Sequence, residues 1–132
     1  MQREMDRRKP GTGKTALVAD DNAAIRTMLA SAFLSDGFKT CVEAENGQEA
    51  IDVAKQNKPD VIVLDLSMPI MNGLQSAPEL RKLLPQTPII LFTLYGQNLS
   101  QTEASKSGIS LVLEKTVPLS TLIEKAHQLM AA

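Results

Sequence analysis

The chain is poor in the residues that staple or ligate. A single cysteine, Cys41, in 132 residues excludes an internal disulfide and a cysteine-rich metal site, and it suits a reducing compartment. Cys41 itself reads as a small buried hydrophobe on a strand. The only histidine, His127, falls near the end of the last helical pattern, where a cation is favourable with the helix dipole; it reads as a solvated face residue. No apolar run approaches the ~20 residues that would span a bilayer, so no membrane segment is expected and a cytoplasmic location is. Net charge of one sign is also missing: the formal total is -1 and basic residues cluster only at Arg3, Arg7, Arg8 and Lys9. A polyanion-binding surface, and with it nucleic-acid binding, is therefore not expected. Internal repeats and low-complexity segments are absent as well.

What is present is a regular alternation of short apolar runs and amphipathic segments. With 43% hydrophobic residues the chain can bury one core but has no room for a second domain. Residues 1–14 are polar and charged and read as a flexible leader; residues 15–132 form the domain. Ala16 to Ala19, Val61 to Leu64, Ile89 to Phe92 and Leu111 to Leu113 each read as a buried strand. Phe38 to Glu43 alternates in polarity, as an edge strand does. Between the strands, Ile25, Met28, Leu29, Ala32 and Phe33 share one helix face, ending near Ser35-Asp36-Gly37. A second helix runs from about Gly47 to Asn57, with Asn46 and Glu49 as a capping pair. In the third, Pro78 lacks the backbone donor that a helix begun at Asn72 would need, and Ser76 with Glu79 has capping-box spacing, so a start at Ala77 or Pro78 is predicted. Ser100 and Glu103 repeat that spacing before a short fourth helix closed by Gly108. Leu119, Leu122, Ile123, Ala126 and Leu129 make a fifth after Pro118. Five strand-helix units of this kind predict an α/β fold with an open parallel sheet covered on both faces, in which ligands bind beyond the strands' carboxyl ends.

At those ends stand Asp20-Asp21, Asp65, Thr93 and Lys115. Three carboxylates gathered there need a counterion, because two like charges about 4 Å apart repel by roughly 4 kcal/mol at an effective dielectric near 20. All-oxygen ligation suits Mg²⁺, and the lack of nearby His and Cys argues against zinc. A carboxylate can also attack phosphorus, provided cations offset the anionic group being transferred. An isolated Asp after a strand is more often a turn former or cap, and Asp21 is also placed to cap the first helix; the coincidence of five polar groups on one edge is what favours a site.

The run Val61-Ile62-Val63-Leu64-Asp65-Leu66-Ser67-Met68-Pro69-Ile70-Met71-Asn72-Gly73, with Asp20-Asp21 before it and Thr93 and Lys115 after it, resembles the receiver domain of two-component response regulators over about residues 15 to 131. The resemblance implies a flavodoxin-like (βα)5 fold, a five-stranded parallel sheet in strand order 2-1-3-4-5. It implies a phosphorelay in which Asp65 is the phosphoacceptor and a sensor histidine kinase or histidine phosphotransfer protein the donor. Asp21 and Asp65 would ligate Mg²⁺ directly, with the main-chain carbonyl of Ser67, and Asp20 would act mainly through a metal-bound water. Thr93 would bind a phosphoryl oxygen and shift on phosphorylation, and Lys115 would pair with phosphate or, before that, with Asp65. Such a domain is a switch and not a turnover enzyme on an external substrate. Its family habit of pairing through the fourth helix, fifth strand and fifth helix makes a homodimer an expectation.

Some positions depart from the family pattern. Val112 stands where an aromatic residue usually precedes the lysine by three, Leu94 where a small residue commonly follows the threonine, and Thr116-Val117-Pro118 where a proline usually follows the lysine at once. Tyr95 reads as a surface residue. A receiver-like interaction module that is not phosphorylated is the alternative, motivated by Val112 and Leu94; the complete acidic set favours the phosphoacceptor. Gly11-Thr12-Gly13-Lys14-Thr15 imitates the end of a phosphate loop, but Arg8 occupies the position of its first glycine and the segment precedes a strand. Asp65-Leu66-Ser67 lacks the second aspartate of haloacid-dehalogenase-type phosphatases. An end at Ala132 is compatible with a stand-alone receiver or with one followed by an output domain.

Overall fold

The computed structural model describes residues 13–94 and 99–132; most of the expected leader, and Tyr95, lie outside them. Strands and helices alternate strictly: β1 (Thr15–Ala19), α1 (Ala23–Ser35), β2 (Thr40–Ala44), α2 (Gly47–Asn57), β3 (Val61–Leu64), α3 (Gly73–Leu83), β4 (Ile89–Thr93), α4 (Gln101–Lys106), β5 (Leu111–Glu114) and α5 (Leu119–Ala131). The five strands are parallel in the order β2-β1-β3-β4-β5, as the family resemblance implies. No helix among the described residues is long and apolar enough to cross a membrane.

Successive strand residues point to opposite faces, so each strand feeds two cores. Leu17, Ile62, Leu64, Ile89 and Leu91 pack under α2, α3 and α4 against Ala54, Ala77, Leu80 and Ala104. Val18, Val61, Val63, Ile90 and Phe92 pack under α1 and α5 against Leu29, Phe33, Leu122 and Ala126. Burial on both faces is why the central strands read as unbroken apolar runs. β2, at the edge, keeps its alternating pattern but begins at Thr40. Phe38 belongs to the turn after α1: its N–H donates to the Phe33 carbonyl at 3.1 Å, and its ring meets that of Phe33 edge-on at 4.9 Å. Cys41 is half-buried on β2, and burial, helped by Glu43, pushes its thiol up to about 12.

Three local expectations change. α3 starts at Gly73 and not at Ala77 or Pro78: Asn72 and Gln75 form the capping box, and Pro78 lies within the helix. Pro78 forgoes the one bond its nitrogen would have made to the Leu74 carbonyl. The chain ahead of the helix is pinned from outside, since Gly47 N–H donates to the Met71 carbonyl at 2.8 Å and Gly73 N–H to that of Leu66 at 3.0 Å. Ser76, no cap, donates its hydroxyl to the Asn72 carbonyl at 3.0 Å. At the start of α1 the cap is Asn22, whose side chain accepts from Ile25 N–H at 3.1 Å, which leaves Asp21 outside the helix. His127 is not a free surface residue: its Nε2 lies 2.5 Å from Oδ2 of the buried Asp36, joining α5 to the end of α1.

Candidate functional site

The parallel ladder continues one residue beyond the strands, and that continuation builds the site. Asp20 N–H donates to the Ala44 carbonyl at 3.1 Å, Asp65 N–H to that of Ala19 at 2.9 Å, and Lys115 N–H to that of Thr93 at 3.0 Å. With Ala19 in register with both Ala44 and Leu64, the backbones of Asp20 and Asp65 leave adjacent strands at the same level. Their side chains open into a depression of about 200 Å³ lined by Asp20, Asp21, Asn22, Asp65, Ser67, Leu94 and Lys115.

Within it, one carboxylate oxygen each from Asp20, Asp21 and Asp65 lies within 4.8 Å of the others. Asp20 and Asp65 are buried, at 1% and 6% exposure, while Asp21 is on the rim. Lys115 bridges the two buried acids, with Nζ 2.7 Å from Asp20 Oδ2 and 3.4 Å from Asp65 Oδ2. The expected lysine pairing with Asp65 is thus present, but Asp20 is the nearer partner. Burial, and then the charge of Asp20, raise the Asp65 carboxyl above its usual range against the opposing pull of Lys115 and the Ser67 N–H. Burial disfavours the ammonium of Lys115, yet its hydrogen bond to Asp20 and the charges of both acids more than reverse this and raise it. Among the described residues the pocket is therefore short of positive charge: one lining cation serves three carboxylates. An oxygen-only donor set of this size fits a hard divalent cation such as Mg²⁺, and Asp65 presents a nucleophilic oxygen beside a cation.

Thr93 ends β4 with its side chain fully buried, and Leu94, 61% exposed, is the residue from this strand end that lines the depression. Val112 lies on β5 opposite Leu91 and packs against the core under α4.

Two supports were not legible as such in the sequence. Gly73 is required by space, because a Cβ there would stand 2.5 Å from the Asp65 carbonyl oxygen and 2.9 Å from Leu91 Cδ1. Its place in the motif marked it without giving that reason. Arg26 donates through Nη1 to the Asp20 carbonyl at 2.8 Å and through Nε to Glu43 Oε1 at 3.2 Å; a lone arginine on an amphipathic helix carries no signal of it. Between the acid and α3, Ile70 holds φ +68° while 81% exposed, an uncommon conformation for a β-branched residue. Strain of this kind costs of order 1–3 kcal/mol and gathers at functional loops.

Comparison with known proteins agrees with this geometry. The family model of the response regulator receiver domain matches residues 16–127. The chemotaxis protein CheY of Thermotoga maritima is 34% identical over 116 residues, 88% of this chain and 97% of that protein. CheY of Bacillus subtilis is 29% identical over 112 residues, 85% of this chain and 93% of its own. Among solved structures, the receiver domain of AraT, a response regulator from Geobacillus stearothermophilus, superposes with a TM-score of 0.74 at 30% identity, covering 89% of this chain and 93% of that one. The response regulator domain of Thermotoga maritima CheB gives 0.81 at 28% identity, over 90% and 97%.

Proposed function

Because this chain belongs to the response regulator receiver domain family, we propose that Asp65 accepts a phosphoryl group from the phosphohistidine of a sensor histidine kinase or histidine phosphotransfer protein. The observation that carries the reading is Lys115 in contact with both Asp20 and Asp65 in a three-carboxylate pocket. Asp21 and Asp65, with the main-chain carbonyl of Ser67, would hold Mg²⁺, and Asp20 stands behind them. When bound, that ion supplies positive charge to the oxygens of the transferring group.

A carboxylate oxygen of Asp65 attacks phosphorus in line; the P–O bond forms as the P–N bond breaks, and the imidazole departs with its electron pair. Lys115 swings its charge from the carboxylates toward the new phosphoryl oxygens. The hydroxyl of Thr93, buried beside the site, turns to meet the dianion, and this repacking is the switch. No aromatic ring stands at Val112 to follow Thr93, so the change reaches the surface by another route. Leu94 narrows the approach of water and of the donor. Hydrolysis of the acyl phosphate resets the domain, which works in the cytoplasm beside its kinase and turns over no external substrate. Its pairing surface for a homodimer is α4-β5-α5.

The test is to incubate the protein with Mg²⁺ and a small acyl-phosphate donor and to weigh it intact. A single phosphoryl adduct is expected, lost in Asp65→Asn and in EDTA. An unmodified wild-type protein that also binds no Mg²⁺ would leave it an interaction module without phosphorylation. Light scattering with and without a phosphoryl mimic tests the dimer.

A further inference from the structure

We propose that Arg26 is a positioning residue for the metal-binding acids: by holding the carbonyl of Asp20 it sets the peptide that aims the Asp21 carboxylate into the pocket. The inference rests on the reading of that pocket as a Mg²⁺ site.

Asp20 is fastened at four points. Its N–H donates to the Ala44 carbonyl at 3.1 Å, and its carbonyl accepts from Arg26 Nη1 at 2.8 Å. Its Oδ1 accepts from Asn22 N–H at 2.9 Å and its Oδ2 from Lys115 Nζ at 2.7 Å. Three of these bonds come from the sheet, the next turn and the site itself. The carbonyl is the exception. It lies one residue past the end of β1, so the strand ladder offers it no partner, and a side chain supplies one.

That carbonyl governs Asp21. The peptide unit is planar, so turning the Asp20 C=O toward water turns the Asp21 N–H with it and changes the φ at which the Asp21 side chain leaves the backbone. Asp20 has its own anchors against such a turn. Asp21 is exposed, and among the described residues its carboxylate has neither hydrogen bond nor ion pair, so the backbone φ and ψ, which decide the rotamers open to it, are the restraint left on its direction. Arg26 does not line the pocket, and its side chain bonds to the Asp20 carbonyl and Glu43 and not to the carboxylates of Asp21 or Asp65, which makes its effect indirect.

Arg26 is itself held. Its N–H donates to the Asn22 carbonyl at 3.1 Å, in the turn that Asn22 caps, and its Nε pairs with Glu43 on the neighbouring strand. The arginine side chain is 14% exposed and that of Glu43 is 42% exposed, so the carbonyl contact is the inner end of the arrangement and the ion pair the outer. The guanidinium reaches the carbonyl through Nη1 and Glu43 through Nε, two separate nitrogens of one planar fork, whereas the donors of an ammonium all leave from a single nitrogen.

The experiment compares Mg²⁺ titrations by calorimetry, and backbone amide spectra of the metal-free protein, for wild type, Arg26→Met, Arg26→Lys and Glu43→Gln. Loss of an outer support of this kind weakens metal affinity on the order of tenfold, which is the result expected for Arg26→Met. Glu43→Gln keeps the carbonyl bond and loses only the exposed ion pair, so its affinity stays within about twofold. Arg26→Lys recovers part of the loss by reaching the carbonyl with one donor. The Asp21 amide resonance moves in Arg26→Met and stays in Glu43→Gln. Equal affinity of Arg26→Met and wild type overturns the inference, as does an equal loss in Arg26→Met and Glu43→Gln, which would make the residue a strut between α1 and β2 only. A wild type that takes up no Mg²⁺ overturns the reading of the pocket and this inference with it.

Discussion

Replacing Lys115 with methionine keeps about the length of its alkyl stem and removes the one cation that lines the site among the described residues. Its Nζ stands 2.7 Å from Asp20 and 3.4 Å from Asp65, so at an effective dielectric near 20 the two attractions are roughly 6 and 5 kcal/mol. Against them, three carboxylates with oxygens inside 4.8 Å repel by at least roughly 3 kcal/mol for each pair. The lysine thus nearly balances the cluster's self-repulsion, and without it the charges of two acids with side chains only 2% and 7% exposed stand uncompensated. Breaking a fully buried pair costs about 3–5 kcal/mol, and the open mouth of this pocket, which admits water, lowers the expected loss to about 2–3 kcal/mol. Urea denaturation followed by circular dichroism at neutral pH in EDTA should show that loss. Two treatments should restore it: saturating Mg²⁺, which at a hundredfold excess over its Kd adds about 2.7 kcal/mol, and acid, which protonates Asp65. A variant as stable as wild type at neutral pH in EDTA would refute the charge balance. A loss that neither acid nor Mg²⁺ relieves would assign the effect to packing of the alkyl stem.

Other outcomes follow from single contacts. Asp65 has a folded-state pKa raised above the unfolded 3.8, so its protonation contributes stability that is complete below 3.8 and lost as pH rises through the folded value. Asp65→Asn should therefore remove this slope and gain on wild type toward neutral pH in EDTA; parallel denaturation profiles for the two proteins would contradict it. Gly73→Ala forces a methyl to 2.5 Å from the Asp65 carbonyl oxygen, so α3 must retreat at a cost of about 2–3 kcal/mol, and the initial rate of phosphorylation should fall with it. Unchanged stability and rate would mean that the helix start yields freely. Arg81 donates to the carbonyls of Gly108, Leu84, Pro85 and Thr87, tying α3 to the loops before β4 and β5. Arg81→Met should cost about 2–3 kcal/mol in a melt or denaturation curve while leaving Mg²⁺ affinity as it was.

Much of this protein is written locally. The period-2 and period-3.6 patterns place the strands and most of the helices, because burial on both sheet faces keeps the central strands largely apolar until the chain emerges at the carboxyl ends. For the same reason Asp20, Asp21, Asp65, Thr93 and Lys115 stand out along the chain: each ends or follows an apolar run, and parallel strands carry those ends to one edge. The caps of α2 and α4 are equally local, since an N-cap acts three residues away.

What the sequence did not determine depends on partners far along the chain. Pro78 argued for a late start to α3, and the start was decided instead by Met71 bonding to Gly47 on another helix, with Gly73 seated against Asp65. His127 found Asp36 across 91 residues. Lys115 lies nearer Asp20, 95 residues away, than the acid it was expected to serve. Thr93 is buried at the end of β4, while Leu94 lines the depression. Spacing can show which groups arrive at one end of a sheet, because pleat and handedness fix where strands end. The choice of which oxygen each cation touches was left to tertiary structure, because it turns on differences of an ångström or less among charges already brought together.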